Sequence, residues 1–129
     1  MRSPSITITT SGSGGRPVCP QDPRLKPVQL VEAEGVRIGM VHDATLPEWP
    51  PHRTLESIMV HHFGGRVDVL IHGDTHVPEV EEMRGVLLVN PGSPTFPRNL
   101  TRRLGTLGFL DVENGVTRAW IHHLADGAA

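Results

Sequence analysis

The stretch Val67-Asp-Val-Leu-Ile-His-Gly-Asp-Thr-His-Val-Pro78 decides the reading of this chain. Val67 to Ile71 is a short apolar run of the kind that forms a strand buried on both faces. It is followed by Gly73, and Asp74 and His76 stand two residues apart just beyond it. In open α/β sheets, ligands collect outside the carboxyl ends of the strands. Residues two apart in an extended segment face the same way, so this carboxylate and imidazole can converge on one ion. Such a pair suits Mn, Fe, Zn or Ni. The same letters also describe an Asp-Thr turn carrying an exposed His, and the stretch alone does not choose between them.

Working outward, Val86 to Val89 is a second apolar run of the buried-strand type. Val28 to Glu32 and Val36 to Val41 read as two strands joined by a turn at Glu34-Gly35. His42 ends the second of these and points beyond the sheet edge. A strand-end His serves as a ligand or as a satisfied structural residue, and by itself proves neither. Arg53 to Phe63 reads as a helix, because Leu55, Ile58, Met59 and Phe63 recur on one face. Pro50 and Pro51 precede it and Gly64-Gly65 stops it. Leu107 to Val112 and Val116 to Ile121 flank Asn114-Gly115, a strong hairpin signal. Glu79, Glu81 and Glu82 read as the solvated face of a loop. The pattern predicts an α/β chain, mostly a β layer with one helix.

With 129 residues this is one domain at most. Residues 1–27 are rich in Ser, Thr, Gly and Pro and lack the apolar content to offset ordering entropy. They read as a disordered or non-native leader, residues 28–124 as the folded part, and 125–129 as a tail. A formal net charge of −2 supplies no electrostatic footprint for nucleic acid or an anionic membrane. No apolar stretch approaches the roughly 18 residues needed to cross a bilayer. Cys19 is the single cysteine, which excludes an intramolecular disulfide and fits a reducing compartment. The expectation is a cytoplasmic protein.

From about Val28 to Ile121 the chain resembles the carboxyl-terminal half of the calcineurin-like metallophosphoesterases, in their small bacterial and archaeal phosphodiesterase branch. Three features carry the resemblance, in the family's order. Val41-His42 stands where the family has a strand-end His-Gly. Gly73-Asp-Thr-His76 with Pro78 stands where it has Gly-His-Thr-His and then Pro. Asn90-Pro-Gly-Ser93 with Pro97-Arg98 matches its Asn-Pro-Gly-Ser and Pro-Arg. The resemblance implies a partial metallophosphoesterase-like β-sandwich with a flanking helix. It implies hydrolysis of a phosphate ester by two divalent metals, with Mn foremost and Ni, Fe or Zn as alternatives. By resemblance His42 is a ligand of the second metal and Asp74 replaces another, normally a His. His76 is a ligand of the first metal. Asn90 and Gly92 belong to a loop bordering the substrate, and no catalytic residue is implied.

The departures are in the other half. The family's Asp-x-His, Gly-Asp and Gly-Asn-His segments, which bring the bridging carboxylate and the proposed proton donor, do not occur in residues 1 to 35. Reading Asp74-Thr-His76 as the first of these fails, because the others do not follow it. Asp43 replaces the family's Gly after the strand-end His. His72 is placed to compensate for Asp74, yet strand alternation also makes it plain sheet decoration. The expectation is a truncated member, weakly active or inactive alone. Without the other half, Val67 to Ile71 and Val86 to Val89 are expected to expose apolar faces. That predicts a homodimer or a separately encoded amino-terminal half. The retromer subunit built on this fold supplies the alternative, a non-catalytic interaction scaffold; a fragment without function is the third reading.

Overall fold

The computed structural model describes residues 23–24 and 26–125. The expected leader, with Cys19, and the expected tail lie almost wholly outside the described residues. The element order is β1 (Val28–Ala33), β2 (Val36–Val41), α1 (Leu55–Phe63), β3 (Val69–Ile71), β4 (Glu79–Met83), β5 (Val86–Asn90), a 3-10 turn (Pro97–Asn99), β6 (Thr106–Glu113) and β7 (Val116–His123). A five-stranded sheet runs β1-β2-β3-β5-β4, and β6-β7 form a separate hairpin. The strands β2, β3 and β5 are mutually parallel; β1 and β4 close the two edges antiparallel.

Three two-residue turns set the register. Glu34-Gly35, Arg84-Gly85 and Asn114-Gly115 each place both residues at positive φ, between 47° and 80°. This is the twist that continues a right-handed hairpin, and Gly at the second place adopts it without a Cβ clash. The middle turn corrects the sequence reading. Glu79, Glu81 and Glu82 lie not in a loop but in β4, paired with Asn90, Leu88 and Leu87. Their charges line an exposed edge strand, where they oppose pairing with another sheet.

The helix starts two residues later than the periodicity predicts. Thr54 is the N-cap in an extended conformation, and Arg53 is held in a backbone bridge to Trp49. The Thr54 hydroxyl accepts from Ser57 N–H, and the Ser57 hydroxyl accepts from Thr54 N–H, closing a capping box. Gly64, at φ 75°, ends the helix. Its buried face is the predicted one: Leu55, Ile58, Met59 and Phe63. Phe63 lies flat enough on β2 that a Cβ at Gly39 would come within 2.7 Å of its ring.

Each face of the sheet has its own core. On the helix side Leu55, Ile58, Met59 and Phe63 pack on Val41, Val67, Leu70, Val86 and Leu88. On the other side Val36, Ile38, Val69 and Val89 meet Val112, with Leu110 and Ala119 of the hairpin packed alongside. This corrects a second expectation. Val67 to Ile71 and Val86 to Val89 do not expose apolar faces, because the helix covers one side and the hairpin the other. A group of exposed apolar side chains lies instead on the outer face of the hairpin. There Leu107, Phe109, Val116 and Trp120 are exposed, and Phe109 stacks on Trp120 at 5.4 Å.

Arg84, in the β4-β5 turn, ties the sheet to the start of α1 by binding both Glu48 and Glu56. Leu55 N–H, and then Arg84, hold the Glu48 carboxyl below its ordinary value of 4.5; Arg84 does the same to Glu56. Both carboxylates titrate lower in the folded state than in the unfolded one. Their contribution is therefore complete above pH 4.5 and is lost as the pH falls through their folded values. Thermal melts should show a small loss below pH 4.5 that Arg84→Ala reduces; an identical acid profile in that variant would contradict it. No helix among the described residues is long and apolar enough to cross a membrane.

Candidate functional site

Because β2, β3 and β5 run parallel, their carboxyl ends meet at one edge of the sheet. The segments leaving that edge are His42, Gly73 to His76 and Asn90 to Ser93. Main-chain bonds fix them to one another: Gly73 N–H donates to His42 C=O at 2.8 Å, and His72 N–H to Val89 C=O at 2.9 Å.

The loop after β3 is not extended. Asp74 has φ 76° and His76 has φ 61°. Both occupy the left-handed region, which Asp and His enter more readily than most residues. The reasoning that residues two apart face the same way therefore does not apply here. The bend carries Asp74 to His42, whose Nε2 lies 3.1 Å from Asp74 Oδ1. It carries the His76 ring the other way, to Phe96. There Nδ1 lies 3.0 Å from the Phe96 carbonyl and the ring meets the Phe96 ring edge-on at 5.5 Å. A carbonyl has no proton to give, so Nδ1 is the donor, and in the neutral ring the lone pair is on Nε2. This is how a metal-binding imidazole is usually oriented.

Asn90 is buried, 1% exposed, and braces the loops. Its Nδ2 donates to Thr75 Oγ1 at 2.9 Å, and its Oδ1 accepts from Gly92 N–H at 3.0 Å. Gly92, at φ 73°, lies against β6: a Cβ there would meet Thr106 Oγ1 at 2.2 Å. Ser93 Oγ accepts from Phe96 N–H at 2.9 Å, which positions the carbonyl that orients His76. Phe96 and Thr106 are thus parts of the scaffold that sequence reasoning does not pick out, while Thr75 and Ser93 stand in the sequence motifs but carry no assigned role there. Phe96 orients His76 through its main-chain oxygen, twenty residues away, and that oxygen leaves no signal in residue type.

The donor set fits a divalent metal only in part. His42 Nε2 and Asp74 Oδ1 are as close as two donors about 2.1 Å from one ion at a right angle. His42 Nδ1 is buried without a hydrogen-bond partner among the described residues. Yet no group of three or more His, Cys, Asp or Glu side chains there is placed to hold an ion. His42 and Asp74 come together; His76 stands apart. His72 lies on the opposite, helix-side face, only 7% exposed. Burial lowers its pKa, opposed by Asp43.

The sequence profile of the calcineurin-like phosphoesterase superfamily domain matches residues 20–115. A probable metallophosphoesterase of Methanocaldococcus jannaschii is 39% identical over 70 residues, 54% of this chain and 35% of that protein. One from Methanothermobacter thermautotrophicus is 36% identical over 72 residues, 54% of this chain and 38% of that protein. The match thus spans little more than a third of the length of either relative. Among solved structures, Entamoeba histolytica Vps29 complexed with zinc has a TM-score of 0.60 at 24% identity, over 81% of this chain and 57% of its own. A Thermotoga maritima protein solved by NMR has a TM-score of 0.53 at 28% identity, over 78% of this chain and 56% of its own. The likeness to Vps29 concerns the mixed α/β fold.

Proposed function

Because the chain belongs to the calcineurin-like phosphoesterase superfamily, we propose that it serves as a metal-dependent phosphoesterase of the phosphodiesterase type. His42, Asp74 and His76 are its metal-binding side chains, and the Asn90 to Ser93 loop borders the phosphate-ester substrate. The observation that carries this reading is the His42 and Asp74 pair at the carboxyl ends of the parallel strands, with the His76 imidazole of the same loop apart from it and held through Nδ1 by the Phe96 carbonyl. The ion is Mn²⁺, with Ni, Fe or Zn as ions the same donors accept.

Three donors, one of them apart, make a loose site. The remaining ligands come in this reading from a second copy of the chain or from a separately encoded amino-terminal half, and the chain alone is weakly active. What supports a partner is the exposed apolar outer face of β6-β7, where Phe109 and Trp120 stack and Arg118 lies 5.1 Å from the Trp120 ring centre. The same face favours the second reading, an interaction scaffold without catalysis. The proposed setting is the cytoplasm.

Calorimetric titration with Mn²⁺ separates the two. The phosphoesterase reading expects binding that weakens about tenfold or more in His42→Ala and in His76→Ala. Light scattering on the same samples should find more than one chain per particle. A folded monomer that binds no metal would leave the scaffold reading in its place.

A further inference from the structure

The helix covers only part of its face of the sheet. Leu70 and Val86 lie under α1, whereas the region toward the carboxyl ends of the strands is left open. A cavity of about 370 Å³ occupies that region, between the Asp43 to Pro47 loop and β4. Its floor is apolar, made by Leu46, Pro47, Val77, Met83 and Leu88. Its rim is acidic: Asp43 on one side, Glu79 and Glu81 on the other. The two glutamates face the same way because they are two apart on β4, paired with Asn90 and Leu88.

His72 also lines this cavity. It is 93% buried, and its side chain makes no hydrogen bond among the described residues. Its ring nitrogens are not among the described buried side-chain atoms that lack a partner; they open onto the cavity, where a bound donor meets them. The imidazole, the three carboxylates and the apolar floor therefore ask for a ligand with an alkyl body and positively charged hydrogen-bond donors.

We propose that this cavity binds a linear aliphatic polyamine. Its methylenes would lie on Leu46, Val77, Met83 and Leu88, with one ammonium toward Asp43 and the other toward Glu79 and Glu81. His72 accepts a hydrogen bond from the amine. The volume is in the range of small-molecule sites, about 300–1,000 Å³. A metal ion is the poorer occupant, because no three metal-capable side chains among the described residues close on one point. The cavity shares Gly73, Thr75 and Asn90 with the loops of the candidate site, but spermidine binding is read without metal or turnover, so its failure is distinguishable from failure of the phosphoesterase reading.

The test is calorimetric titration of the full chain with spermidine at physiological ionic strength, beside MgCl₂ and a lysine-rich peptide. Two-dimensional NMR of the spermidine complex localises the contact. The proposal expects spermidine to bind, with shifts centred on Gly73, Thr75, Glu81 and Met83. Binding should weaken at least about tenfold in the Glu79→Gln, Glu81→Gln double variant. Both glutamates are exposed, so the variant keeps the fold, and circular dichroism checks that it does. His72→Phe, which fills the cavity and removes the acceptor, should weaken binding as well. Absence of spermidine binding, binding indifferent to the glutamate substitutions, or shifts elsewhere would overturn it. Tighter binding of Mg²⁺ or of the peptide at the same residues would also overturn it, in favour of a cation or protein site.

Discussion

Leu70→Ala is expected to destabilise the protein by about 2–5 kcal/mol. Leu70 is fully buried on the central strand, with Gly39 beside it on β2 and Leu88 on β5. Its side chain belongs to the cluster formed with Leu55, Met59 and Phe63 of the helix. Truncation removes apolar contact and leaves a void that the surroundings cannot close, because β3 is hydrogen-bonded on both sides. A domain of this size has about 5–15 kcal/mol in all, so the variant stands near the threshold of unfolding. Urea unfolding should show a lower midpoint with an unchanged slope. Leu107→Ala, on the exposed outer face of β6, should stay within about 0.5 kcal/mol. Equal effects at the two positions would contradict the assignment of the core.

Gly105→Ala is expected to cost about 3 kcal/mol, the upper end for overpacking, and to loosen the candidate site with it. A Cβ at this position would lie 1.8 Å from the main-chain oxygen of Ser93. That oxygen cannot step aside freely, because it accepts from Thr106 N–H at 3.1 Å, while Gly105 N–H donates to Pro94 C=O at 2.9 Å. The strain is therefore delivered to Ser93 and Pro94, next to the Phe96 carbonyl that orients His76. Gly65→Ala is the matched control: nothing lies within 4 Å of its added Cβ. It should remain within about 0.5 kcal/mol of the parent. Thermal melts of both variants, with Mn²⁺ binding measured on each, check the prediction; a silent Gly105→Ala would contradict the packing of this loop.

The strands β1, β2, β6 and β7 and the helix were legible because each couples a short apolar period to a Gly turn or a Gly stop, and β3 and β5 because each is a short apolar run. The strand β4 was not. Its outward positions carry Glu, as an exposed edge strand can, so polarity alone made it look like a loop; Arg84-Gly85 was the turn signal that went unread. The apolar outer face was also misplaced. Periodicity reports which residues of a strand share a face but not which element covers it, and the covering of β3 and β5 by α1 and the β6-β7 hairpin is a property of the tertiary fold. At the candidate site, the strand-end position of His42 and its nearness to Asp74 follow from parallel strands ending together. The bend that separates His76 from them does not. It depends on left-handed backbone at Asp74 and His76 and on a main-chain oxygen at Phe96, none of which residue type specifies.

The most direct test is hydrolysis of bis-p-nitrophenyl phosphate by the purified chain with and without Mn²⁺, beside His42→Ala and His76→Ala. The account predicts slow turnover that needs the metal, is lost in both variants, and rises more than linearly with protein concentration as copies assemble. No turnover from soluble, folded protein, or turnover indifferent to both histidines, would contradict it.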